Sequence, residues 1–182
     1  MMDMKRLLIS VLLLALLLTL AGCGVRQEPL ETWPIVYNYN TISCYTRDYE
    51  TIGDMLEEEH IIFHGRAVRL VDDSGHGVRL ELEAIDSTAP EGSNIFLLQN
   101  KDPNVVLKKG EEVVLILFPG SAEGLYHIPN GKLGAFRIDQ ESGQVYCPRM
   151  ESLLESAPEK YAGKKMTLER VYDILVELDK AE

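Results

Sequence analysis

Histidine, cysteine and carboxylate positions would carry any reaction chemistry in this chain, and most of their spacings argue against a reaction. His60 and His64 stand four apart, a separation that on a helix sets two zinc ligands side by side. Between them run Ile61, Ile62 and Phe63, which favour a strand. There the two rings sit about 13 Å apart along one face, too far to share an ion. Asp72, Asp73 and His76 cluster in an expected hairpin loop, and a solvated turn accounts for them without a metal. Ser87, Thr88 and Ser121 lack the G-x-S-x-G frame of an activated nucleophile, and the glycines fall at turns rather than in a phosphate loop. Glu81 and Glu83 belong to a wet strand face and Glu57 to Glu59 to a helix end, so no acid/base pair stands apart. Neither a catalytic residue nor a metal ligand set is assigned.

Cys23 is different, because its surroundings specify a covalent fate. Lys5 and Arg6 precede sixteen uncharged residues, Leu7 to Gly22. A membrane-spanning helix needs about 20, so the run is too short for a span and has the form of an export signal. It closes on Leu20-Ala21-Gly22-Cys23, which resembles the lipobox of bacterial lipoproteins. Only a sulfur nucleophile forms the thioether, and the small Ala21 and Gly22 open the backbone to the peptidase. Cleavage is expected between Gly22 and Cys23. No cofactor is expected beyond the covalent diacylglyceryl group on Cys23, with or without an N-acyl chain on its freed amine. The expected location is the outer, extracytoplasmic face of the cell membrane, where the acyl chains hold the domain and each buried methylene contributes about 0.8 kcal/mol.

Loss of residues 1–22 leaves 160 residues, the length of one domain, and moves the formal charge from −11 to −12. Nucleic acid and anionic lipid headgroups are bound through lysine and arginine, which this surface lacks in excess, so nucleic acid is excluded as a partner. A cell-envelope protein or glycan is the expected partner besides the membrane. Cys44 and Cys147 remain in an oxidising compartment, where they either pair or stay as buried thiols; a bridge would close a loop of about 100 residues and stabilise by about 4 to 5 kcal/mol. Trp33, Tyr37 and Tyr39 open an aromatic-rich segment that either presents a binding surface or covers a core edge.

The elements that position these residues are mainly β. Thr51 to Glu59 reads as a short helix, with Thr51 and Asp54 as a capping pair and Ile52, Met55 and Leu56 on one face. The following strand, "HIIFHGRAVRLVDD", changes parity between Phe63 and Val68, which a bulge or bend at Gly65 reconciles. "GVRLELEAID" alternates cleanly and completes a hairpin. Further strands are expected at 94–99, 112–118, 125–129, 135–139 and 145–146, with turns between them. "EEVVLILF" is apolar on both parities, the mark of a strand covered on both sides. Residues 148–166 read as a connector broken by Pro148, Pro158 and Gly163, and Thr167 to Asp179 as an amphipathic helix.

The order of helix, "IIFHGRAVRL", "VRLELEAI", "LKKGEEVVLILF" and "LYHIPNGKLGAFRID" resembles a group of uncharacterised small lipoproteins of Gram-positive bacteria. That resemblance implies a five- to six-stranded antiparallel barrel of the OB or netrin-like type and brings no catalytic residues with it. Metalloprotease inhibitors with the netrin-like barrel use a free N-terminal cysteine amine, a mechanism that acylation of Cys23 would block. The expected organisation is an export signal at 1–22, a tether and aromatic segment at 23–48, a barrel at 49–147, and a connector with its helix at 148–182. The expected function is a lipid-anchored extracytoplasmic binding or interaction module, and its alternative is an enzyme or accessory subunit of an envelope complex with a loop-built site.

Overall fold

A computed structural model of the chain describes residues 30–35, 48–74, 77–102 and 104–181. Among these residues seven strands run in chain order: β1 Ile61–Ser74, β2 Gly77–Ser87, β3 Ile95–Gln99, β4 Glu112–Pro119, β5 Leu125–His127, β6 Ala135–Ile138 and β7 Val145–Tyr146. Among the described residues three α-helices accompany them, α1 Ile52–Leu56, α2 Met150–Ser156 and α3 Leu168–Asp179, with 3-10 turns at Pro129–Gly131 and Glu159–Tyr161.

The strands close in the order β1-β2-β3-β5-β4, and β4 returns to β1 with Ile61 opposite Leu117 and Arg66 opposite Glu112. The result is the expected five-stranded barrel, with one difference. The sheet was expected to be antiparallel throughout, yet β3 and β5 pair in parallel, Phe96 beside Leu125. An odd number of strands in a closed ring cannot alternate direction all the way round, so one parallel seam is unavoidable. β6 follows β5 along the same edge of β4. Phe118 faces His127 and Leu115 faces Ala135, so three steps along β4 match eight on the opposite chain. The excess is taken up by the segment that holds the Pro129–Gly131 turn.

Coiling of β1 and β2 comes from three register shifts. His64 faces Asp86 but Gly65 faces Ala84, which leaves Ile85 as an extra residue on β2, 49% exposed. Gly65 therefore sits opposite a bulge, and an added Cβ would fall 2.1 Å from the Glu83 carbonyl oxygen. The parity change predicted at Gly65 occurs at the second shift, where Val68 is the extra residue; Phe63 and Ala67 point into the barrel before it, and Leu70 packs inward after it. Both extra residues are pushed outward, which explains their exposure.

Two apolar layers share β4. Val113, Leu115 and Leu117 fill the barrel with Phe63, Leu80 and Leu97. Val114, Ile116 and Phe118 face the other way, onto Ile52 and Met55 of α1, Leu153 of α2, and Val171 and Leu175 of α3. Each of these fully buried aliphatic side chains contributes about 1.5–3 kcal/mol. Helix α1 starts at a reciprocal capping box between Thr51 and Asp54. Helix α2 lies within the expected connector: it is seven residues long and buries only Leu153, too little apolar periodicity to stand out in the sequence.

Candidate functional site

At the end of the barrel where β3 finishes and β4 begins, the connection 100–111 is held by buried polar groups. The Gln99 side chain is nearly inaccessible; its Nε2 donates to the Val105 carbonyl at 3.0 Å and its Oε1 accepts from Leu107 N at 3.1 Å. Lys101, also buried, pairs with Asp73 of the β1–β2 hairpin. Glu111 accepts the Lys108 backbone N–H at 2.7 Å and so fastens the turn before β4. Arg137 of β6 then grips Glu111 in a fork, Nε to Oε1 at 2.6 Å and Nη2 to Oε2 at 2.9 Å, while its Nη1 reaches the Asn104 carbonyl at 3.2 Å.

This scaffold walls a cleft of about 830 Å³. Lys108, Lys132, Arg137 and Glu111 line it, together with Asp139, Glu141 and Tyr146 of the β6–β7 hairpin. Among the described residues neither lysine has a carboxylate partner, so both ammonium groups are available. Tyr146 leaves 60% of its surface exposed beside them. Asp139 is fixed: its Oδ1 accepts from Ser142 N and Ser142 Oγ, each at 2.7 Å, and these bonds hold its carboxyl below the ordinary value. The volume lies within the range of ligand sites, about 300–1,000 Å³, and the walls offer both signs of charge, with Arg137, Glu111 and Asp139 held in place, and an exposed aromatic ring.

A smaller recess shares Glu111, Ile138 and Gln140 with the cleft and adds Leu30, Arg66 and Glu112. Arg66 Nη2 lies 2.8 Å from Glu112 Oε2 and His64 Nε2 3.2 Å from Glu112 Oε1. The Arg66 hydrogen bond, more than that of His64, holds the Glu112 carboxyl below the usual range. The His64 ring also lies 6.0 Å from that of Tyr172 on α3, and its Nδ1 is buried with no hydrogen-bond partner among the described residues. The arrangement thus gathers carboxylates in the cleft and a histidine near it, but the imidazole does not line the cleft.

The residues singled out in the sequence fall elsewhere. His64 belongs to β1 and His60 lies one residue before that strand begins; His60 Nδ1 donates to the Glu58 carbonyl at 2.7 Å, and Nε2 is 3.3 Å from Asp179 of α3. Among the described residues no group of three or more His, Cys, Asp or Glu could hold a metal, and no helix is long and apolar enough to cross a membrane. Trp33, one candidate for a binding surface, is instead a plug: 8% exposed, packed in the barrel cluster, with Nε1 donating to the Leu107 carbonyl at 2.7 Å. Cys147 is buried; its thiol donates to the Leu133 carbonyl at 3.0 Å, and burial pushes its pKa up to about 11. Gly22, Cys23, Tyr37, Tyr39, Cys44 and His76 lie outside the described residues, and with them the lipid attachment, the cleavage site and one end of the expected disulfide.

Sequence reasoning missed Lys108, Glu111, Lys132, Arg137 and Tyr146. Glu111 and Arg137 are 26 residues apart and meet only because β6 pairs with β4, Val113 opposite Arg137. The one local signal was the "KKGEE" turn, read for its bend and not for its charges. Compared with known proteins, the chain matches no family model, and no curated protein or solved structure matches it.

Proposed function

We propose that this protein is a lipid-anchored extracytoplasmic binding module that takes a charged segment of a cell-envelope glycan or protein into the cleft between the β3–β4 connection and the β6–β7 hairpin. One observation carries the binding half of this reading: Lys108 and Lys132, without a carboxylate partner among the described residues, line the same cleft as the Arg137–Glu111 ion pair in an otherwise strongly acidic chain. Two free ammonium groups fit carboxylates or phosphates on the ligand, and Tyr146 offers a face on which a sugar ring or an apolar side chain packs. Asp139 and Glu141 receive the ligand's hydroxyl or amine groups. The lipobox at Leu20 to Cys23 supports the anchoring half.

The two halves are tested separately. A fatty-acid probe should label the full chain expressed in a bacterium and fail to label Cys23→Ala; persistent labelling of the variant contradicts the anchor. Binding to isolated cell-wall sacculi, measured by co-sedimentation of a soluble form starting at Gly24, should weaken about tenfold for each of Lys108→Glu and Lys132→Glu, the factor given by about 1.4 kcal/mol. Unchanged sedimentation of both variants contradicts the cleft.

A further inference from the structure

We infer that the barrel end carrying the cleft is its membrane-facing end, so that the cleft works in the layer of solvent next to the lipid headgroups. The inference rests on the lipid anchor proposed above and on two further observations.

The first is where the chain leaves the anchor. Leu30 is seven residues after Cys23, and seven peptide steps span at most about 25 Å in any conformation. Leu30, Glu31 and Trp33 are fastened to the cleft end of the barrel. The Trp33 indole is buried there and bonded to Leu107, Lys109 N donates to the Glu31 carbonyl at 3.0 Å, and Lys109 Nζ lies 2.8 Å from the Glu31 carboxylate. Leu30 itself walls the recess that opens beside the cleft. The opposite end, formed by residues 88–94 and 120–124, is farther away by the axial length of eight-residue β4, about 20 Å at ordinary strand rise and tilt.

The second observation is charge. Residues 86–94 and 119–124 at the far end contain Asp86, Glu91 and Glu123 and no lysine or arginine. An anionic bilayer surface repels such an end. The cleft end places Lys108, Lys109, Lys132, Arg66 and Arg137 among its carboxylates, so repulsion there is weaker. Tether and field therefore turn the barrel the same way, and a ligand reaches the cleft from the membrane side.

Trp33 is the chain's single tryptophan and lies at the cleft end, which makes it a built-in donor. The lipidated full chain is reconstituted on vesicles of anionic lipid containing a dansyl-headgroup lipid, and energy transfer from tryptophan is read on the floated fraction. Strong transfer from Trp33 is expected, with several-fold weaker transfer in the double variant Trp33→Phe, Glu123→Trp. The single variant Glu123→Trp, which keeps the plug, should show a lower average efficiency than the parent. Equal or stronger transfer from position 123 in floated protein overturns the orientation and leaves the anchor standing. Failure of the protein to float overturns the anchor, and the orientation with it.

Discussion

Gly65 and Glu112 show how much rests on single residues. At Gly65 the β2 backbone crosses so close that a Cβ would overlap the Glu83 carbonyl oxygen and the Phe63 ring, 2.1 and 2.5 Å away. The nearer contact is with backbone and the Phe63 ring is fully buried, so relief requires the β2 backbone at Glu83 to move. Gly65→Val should cost several kcal/mol, at the upper end for a point substitution, and a melting temperature within a degree or two of the parent would contradict the close approach. Glu112 sets a pH dependence. Its pKa is depressed from the ordinary 4.5, first by Arg66. A depressed carboxylate stabilises the fold above its unfolded pKa, and that contribution is lost as pH falls through the folded value. Stability should therefore decline on acidification below about pH 4.5, and Glu112→Gln should lower the melting temperature at pH 7 while flattening the acid decline. Parallel pH profiles for the two proteins would contradict the ion pair. Because Glu112 is partly exposed, the effect is modest and shrinks in high salt.

At the scale of elements, what the sequence made legible is what is local. Alternation in "VRLELEA" gave β2, two-sided apolar character gave β4, and Thr51 with Asp54 gave the start of α1. Thr51→Ala removes the acceptor for Asp54 N and should cost about 1 kcal/mol, measured by denaturant titration; no loss would contradict the cap. Elements whose existence depends on partners far along the chain were less legible. The position of the parity break in β1 depends on which residue β2 leaves unpaired, so it was placed at Gly65 and belongs at Val68. Helix α2 is too short to carry a period, and the parallel seam follows from the closure count, which no segment encodes alone. The cleft was illegible for the same reason: its lysines, Glu111 and Arg137 are ordinary surface residues until β6 pairs with β4. Trp33 showed its type but not its direction, since an aromatic residue near a tether serves a binding face or a core edge equally well until its neighbours are known.

The whole molecule combines an acidic chain folded as a barrel, an N-terminal segment, residues 30–35, fastened to one end of it, and a cleft of mixed charge at that same end. The barrel supplies rigidity, because the walls of the cleft are held by Gln99, Glu111 and Arg137 in bonds that do not depend on a ligand. Preorganisation of this kind reduces the ordering cost of binding. The competing surface is the outer face of β2 and β3, where Arg79 stands 6.0 Å from the Phe96 ring and Leu98 is 44% exposed. Residue-resolved titration of the soluble domain with solubilised envelope fragments, followed by NMR, separates the two most directly. The account predicts shifts at Lys108, Lys132, Arg137 and Tyr146 that saturate together and vanish in the Lys108→Glu, Lys132→Glu double variant. Shifts confined to Arg79, Phe96 and Leu98, with the cleft resonances unmoved, would contradict it.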